Sequence, residues 1–316
     1  TMTRKYEAVL NLTVLAVLTV FLSCKTGELP QPDMSPFFRE GAVRVLILSG
    51  QNNHDWRSTT PLLKKLLLGS GRFDVRVIEA PSGLTARTLE PFDLLVLDYM
   101  GPDWGLESRA AVENFVSSGK GLVAVHGASY AFSGNGVLAD GHRKTGLKEP
   151  VWADYAKMVG GVWTDSTGHG DRHSFRVEFT DREHPITAGL GDFFWATDEL
   201  YHDHRMQQSA HVLATAFDSP EMRGTGEKEP MLWTVDYGKG RVFYTALGHN
   251  AAAMSESGFI ATFLRGCEWA ATGQVTLSDS FDAFQAPPGR PRCLVVTGGH
   301  EYDSEFYCLF DHDKFD

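Results

Sequence analysis

Histidine and carboxylate are the residue types whose placement in this chain could do chemistry: His54, His126, His169 or His173, Glu199 and His249, with Asp198 and Tyr201 close by in sequence. Imidazole titrates near neutral pH and burial can tune a carboxylate upward, so such a set can move protons on a carbon next to a carbonyl. The same types, as two or three histidines and a carboxylate, can hold zinc or manganese and leave one position open for water. The metal candidates are His54, His126, His169 and His249. No dense His-Glu-x-x-His motif is present, so a metal site would have to assemble in space. Asn53, Asp55, Trp56, Ser129, Asp198 and Tyr201 are the candidates for substrate contact. Each group also has a plainer reading: His126 bonded to backbone at a tight turn, His184 before Pro185 as a turn entry, Asp198 and Glu199 as caps or ion-pair partners, and His202, His204 and His211 as surface residues.

These residues need a scaffold that delivers them to one place. Residues 43–50 are a nearly continuous apolar run closed by small residues, the pattern of a buried parallel strand. Helices are predicted at 59–68 and 107–118, with strands at 73–79, 92–98 and 121–125. This alternation implies βαβ units with right-handed crossovers, a mostly parallel sheet and helices on both faces. Further on, the spacing predicts a helix over 152–159, strands at 174–179 and 211–216, a hairpin of 231–236 with 241–247 around Tyr237-Gly238-Lys239-Gly240, and a closing helix over 259–271. In open α/β sheets ligands sit beyond the carboxyl ends of the strands. There the chain places Gln51 to Asp55, His126-Gly127-Ala128-Ser129 and Gly248-His249-Asn250. The long connections 129–150 and 160–173 read as binding loops. Several of Trp56, Trp104, Trp152, Trp163, Trp195 and Trp233 fall in loops, where an indole can stack on the apolar face of a ligand; core filling is the alternative.

The run Gly121-Leu122-Val123-Ala124-Val125-His126-Gly127-Ala128, then His184-Pro185-Ile186-Thr187, Asp198-Glu199-Leu200-Tyr201, Gly248-His249 and Arg265-Gly266-Cys267-Glu268-Trp269-Ala270, resembles the ThuA-like (trehalose-utilisation) family from residue 43 to about 274. That family resembles the class I glutamine amidotransferases, which implies a flavodoxin-like sheet and a role in bacterial sugar catabolism. Where the amidotransferase pattern carries its nucleophilic cysteine at a strand-to-helix elbow, this chain has His126. Cys267 falls in the closing helix, so thiolate chemistry has no candidate nucleophile and glutaminase activity is not expected. Ser129 lacks the Gly-x-Ser-x-Gly setting of a nucleophile. The expected function is a saccharide- or keto-saccharide-processing enzyme using His126, His249, Glu199 and His54, with or without a divalent metal. The alternative is a carbohydrate-binding or scaffolding domain that has lost the chemistry.

Arg4 and Lys5, the apolar run 8–22 and Phe21-Leu22-Ser23-Cys24 have the shape of a lipoprotein signal peptide over 1–24. It implies an exported, periplasmic or cell-surface protein held to the membrane only by a lipid anchor or signal segment. Residues 25–42 read as a tether, 43–275 as the domain and 276–292 as a second linker. Residues 293–316, with Cys293 to Thr297 followed by Gly298-Gly299-His300, repeat the start of the domain and read as the opening of a second, similar one. Three cysteines after Cys24 do not suggest a disulfide framework. A net charge of -11 without a basic stripe disfavours nucleic acid as a partner.

Overall fold

The computed structural model describes residues 38–51, 53–132 and 152–284. The signal and second-domain readings at 1–24 and 293–316 lie outside the described residues, as do most of the tether and most of the 129–150 connection.

The first half follows the expected alternation: β1 (Val43–Gly50), α1 (Trp56–Gly69), β2 (Phe73–Ile78), α2 (Ala86–Leu89), β3 (Leu94–Tyr99), α3 (Leu106–Ser117) and β4 (Gly121–Val125). Every residue of β3 and β4 is buried. A strand covered on both faces needs apolar side chains on both, hence a continuous run and no alternation. The second half contributes α4 (Ala153–Val159), β5 (Gly161–Val162), β6 (Gly168–His169), β7 (His173–Phe179), β8 (Phe193–Asp198), β9 (Tyr201–His202), β10 (Arg205–Met206), β11 (His211–Phe217), β12 (Lys228–Tyr237), β13 (Gly240–Thr245), α5 (Ala251–Met254) and α6 (Ser257–Thr272).

Among the described residues, nine strands form one sheet in the order β2-β1-β3-β4-β13-β12-β11-β7-β8. The α/β class holds, and the sheet is mixed. β2, β1, β3, β4 and β13 run parallel in the flavodoxin-like order. β12, β11, β7 and β8 then extend the sheet by antiparallel pairing. The antiparallel half arises because its strands follow one another without crossover helices, the β12–β13 hairpin being the expected one. β1 to β2 moves one way across the sheet while β3 to β4 moves the other, so right-handed crossovers place their helices on opposite faces.

Strand β8 is absent from the sequence reading for a physical reason. At the sheet edge it buries Phe194 and Ala196 but leaves Phe193 and Trp195 exposed, so both faces are apolar and no period of two appears. The domain also runs past its expected end at 275. Arg265, on buried α6, donates to the carbonyls of Leu277 and Ser278, and Glu268 accepts from the backbone of Thr276 and Leu277. Phe281 packs edge-on against Phe194. Residues 276–281 are therefore docked chain and not free linker.

Candidate functional site

Four loops at the carboxyl edge of the sheet bring His54, His126, Glu199 and His249 together, with one ligand-capable atom from each lying within 4.8 Å of the others. The imidazole centroids of His54 and His126 are 4.7 Å apart, those of His54 and His249 4.9 Å, and those of His126 and His249 5.5 Å. His54 follows β1, His126 follows β4 and His249 follows β13, as the strand-end rule requires. Glu199 follows the edge strand β8, and a turn brings it back over the end of β13.

That return is fixed by Asp198. Its side chain is buried and its carboxylate accepts from the backbone N–H of Gly248 at 2.6 Å, of Glu199 at 2.8 Å and of His249 at 3.2 Å. The carboxylate ties the two loops that carry Glu199 and His249, so Asp198 is a clamp and not the substrate contact expected from sequence. Ser129 changes role for the same reason: it is fully buried, with Oγ 3.0 Å from His204 Nε2. His204 is itself buried and not the surface residue expected.

His126 sits at the strand-to-helix elbow with φ +45°, a left-handed conformation that costs a β-carbon-bearing residue on the order of 1–2 kcal/mol. Three contacts hold it there. Its Nδ1 lies 2.7 Å from the carbonyl oxygen of Ala246; a carbonyl only accepts, so Nδ1 carries the proton. Nε2 then accepts from the Tyr201 hydroxyl at 2.6 Å, and the Tyr244 hydroxyl donates to the His126 carbonyl. Tyr201 is thus buried against His126, and the backbone-bonded reading of His126 is half of its description. At the next position a β-carbon would lie 3.0 Å from His54 Nδ1. Gly127 is what lets the His54 ring approach.

Glu199 is the hub. Its Oε2 lies 3.0 Å from His249 Nδ1, 3.7 Å from His126 Nε2 and 3.8 Å from His169 Nε2. The His249–Glu199 distance suits an ion pair, yet the ring N–H direction does not align with the oxygen, and buried Nδ1 has no hydrogen-bond partner. Burial pushes the Glu199 carboxyl up, but the imidazoles of His126 and His249 beside it outweigh that and hold the group well below the usual carboxylate range. Glu199 in turn raises His249 against the opposing effect of burial. His54 goes the other way, lowered to about 3 by burial and by the neighbouring His126 and His249.

His169 stands beside Glu199 with two-fifths of its side chain exposed, outside the four-residue group. His173 begins β7, where it lines a separate concavity of about 340 Å³ with Ser174, Arg176, Phe217, Met222 and Lys228. That concavity contains none of the clustered groups, and convergence of side chains outweighs hollow volume in locating chemistry. Asn53 and Asp55 are exposed just before α1, where Asp55 accepts from Ser58 Oγ. Trp56, half-buried, packs against Gly50 under the guanidinium of Arg57. Trp104, Trp152 and Trp233 are buried core residues. Trp163 is the loop indole nearest the cluster, edge-on to Tyr201 at 4.8 Å. Ala246, Tyr244 and Gly127 give no sequence signal of a site role, since they act through backbone or by lacking a side chain.

The motif residues Arg265 and His184 to Thr187 serve the fold. Arg265 donates to the carbonyls of Pro185, Ile186 and Ala188, clamping that turn onto α6. Among the described residues the one cysteine, Cys267, is fully buried in α6. No helix among the described residues is long and apolar enough to cross a membrane.

The sequence profile of a family described as ThuA, trehalose utilisation, matches residues 44–270. A solved ThuA-like protein from Parabacteroides merdae is 32% identical, with a TM-score of 0.64 over 75% of this chain and 92% of its own. Another, from Bacteroides uniformis, is 20% identical, with a TM-score of 0.58 over 75% of this chain and 96% of its own. A cytoplasmic protein from Salmonella typhimurium shares the fold at 15% identity and a TM-score of 0.51, over 73% of this chain and 100% of its own. Among curated proteins no sequence matches significantly.

Proposed function

We propose, for a chain that belongs to the ThuA (trehalose utilisation) family, that the cluster of His54, His126, Glu199 and His249 is an active centre working on a saccharide or keto-saccharide by acid–base chemistry. Family membership supports a role connected with sugars. The observation that carries the chemistry is the divergence of two histidines 4.9 Å apart: His54 is driven toward its neutral form while His249, beside Glu199, is driven toward its charged form. Neighbouring groups with pKa values pushed apart supply an acid and a base at one pH.

On a keto-sugar, His54 accepts the proton from the carbon adjacent to the carbonyl. The C–H electron pair forms the new C=C bond, and the carbonyl oxygen takes up the proton donated by His249. The product is an enediol, from which isomerisation or loss of a neighbouring oxygen substituent follows. Glu199 balances the imidazolium before transfer, and the Ala246 carbonyl with the Tyr201 hydroxyl holds the His126 ring at the floor of the site. We assign substrate contact to Asn53, Asp55 and Trp56, in the segment that carries His54, and to His169 beside Glu199.

Turnover of a panel of disaccharides and their keto derivatives, with and without chelator, tests this reading. At least one member should be consumed by the wild-type protein and spared by Glu199→Gln. A panel that is bound but never converted would favour the carbohydrate-binding alternative. We also propose that the activity lies outside the cytoplasm with Cys24 as an acylated mature N-terminus, a reading that rests on residues 4–24. Mass spectrometry of the membrane fraction finding an intact segment from Met2 to Ser23 would reject that placement.

A further inference from the structure

We infer that His54, His126, His249 and Glu199 form a binding site for one divalent transition-metal ion of the zinc or manganese type, at which the Tyr201 hydroxyl competes with the metal for His126. The inference shares the cluster with the proposed reaction but does not depend on a sugar.

Three imidazoles and one carboxylate are a donor set for zinc, manganese or a neighbouring transition ion; calcium and magnesium take oxygen ligands. A tetrahedral site with bonds of about 2.0–2.2 Å sets its ligand atoms roughly 3.3 Å apart. His249 Nδ1 and His126 Nε2 stand 3.0 and 3.7 Å from Glu199 Oε2, on either side of that spacing, and all four groups fall within 4.8 Å. Small side-chain rotations close the set.

The surroundings are those of oriented ligands. Because Nδ1 of His126 is committed to the Ala246 carbonyl, Nε2 is the nitrogen turned to the cluster. Asp198 fixes the backbone of both Glu199 and His249. Gly127 makes room for the His54 ring. His249 Nδ1 is buried without a hydrogen-bond partner, and a buried polar atom in that state calls for one. A cation bridging His249 and Glu199 supplies it.

Tyr201 gives the site a distinctive property. An imidazole nitrogen has one in-plane lone pair, and that of His126 Nε2 now accepts from the Tyr201 hydroxyl. A metal bound there must displace the phenol. Held by these four residues, such an ion would supply Lewis-acid polarisation of a carbonyl only by expanding to five-coordinate, and His169, beside Glu199, stands outside the four-ligand group.

The test is titration of chelator-stripped full-length protein with zinc by calorimetry, and with cobalt followed by its visible absorption, no sugar present. One ion should bind per chain, with cobalt bands of tetrahedral intensity. Glu199→Gln and His249→Gln should each weaken zinc binding at least tenfold, while His173→Gln leaves it unchanged. Tyr201→Phe should bind zinc more tightly than wild type, because the competitor is gone. Circular dichroism of the metal-free variants checks that they are folded. Saturable zinc binding without turnover of any sugar upholds the site while removing the proposed reaction. No saturable binding, or binding that survives Glu199→Gln combined with His249→Gln in folded protein, overturns the site; weaker binding by Tyr201→Phe overturns the competition.

Discussion

Replacing Asp198 by alanine should damage both stability and the site, and the structure sets the scale. The carboxylate is almost fully buried and accepts three backbone N–H groups, from Glu199, Gly248 and His249. Alanine leaves all three donors without a partner. A hydrogen bond to a charged group contributes about 1.5–3 kcal/mol, and a buried unpaired donor costs about 1–3 kcal/mol. Gly248 is buried, but Glu199 and His249 are only half-buried and water can reach them, so the loss should be about 4 kcal/mol. At about 2–4 °C per kcal/mol for a domain of this size, the melting temperature should fall by about 8–16 °C. Asp198→Asn keeps the volume but turns an NH2 toward one or two of those donors, so it should be damaging as well. The functional readout is separate: with the clamp gone, the 3.0 Å pairing of His249 with Glu199 loosens, and the raised pKa of His249 should fall toward its ordinary value when followed by NMR. A variant melting within about 3 °C of wild type, with an unchanged His249 titration, would refute the clamp.

Gly127→Ala should displace His54, because the added carbon would sit 3.0 Å from its Nδ1; the upward shift of the His54 pKa from about 3 as the ring is pushed toward water checks this, and an unmoved titration with full activity would count against it. Stability should fall as the solution is acidified from about pH 6.5, since burial lowers His54 and His204 to about 3 and His184 to about 4. The sign follows from linkage: between those values and 6.5 the unfolded chain binds protons that the folded one refuses, so stability is complete above about 6.5 and is lost on the way down. His249, raised by Glu199, runs the opposite way and loses its contribution as pH rises through its folded value. Each fully shifted histidine contributes a slope of up to about 1.4 kcal/mol per pH unit, and partial exposure of His54 and His184 reduces theirs. Denaturant titrations from pH 7.5 to 4.5 should show the decline and its flattening in His204→Gln; a level profile in the wild type would contradict it.

The parallel half of the fold was legible because β1, β3 and β4 are buried on both faces and so carry continuous apolar runs broken by glycine and polar turns. Strand-end placement alone marked His54, His126 and His249, since β1, β4 and β13 are parallel neighbours or nearly so and deliver their loops to one edge. Glu199 could be named from its Asp-Glu-Leu-Tyr setting, but its route could not: it comes from the far edge of the sheet, by way of a strand whose mixed faces concealed it. The roles of Asp198, Ser129 and His204 were misjudged because a polar residue's burial depends on partners distant in sequence. Asp198 meets Gly248 fifty residues away and Ser129 meets His204 seventy-five residues away. Arg265 belongs to one of the runs that carry the family resemblance, and its carbonyl partners make it a clamp of the fold.

The most direct test of the active-centre reading is proton exchange at carbon. A keto-disaccharide incubated in deuterium oxide with wild-type protein should gain deuterium at the position next to its carbonyl, followed by NMR. His249→Gln and Glu199→Gln, verified as folded, should slow that gain by at least a hundredfold, the upper part of the range for a positioned acid or base being about 10⁴. Exchange at the wild-type rate in both variants would contradict the assignment of chemistry to this cluster.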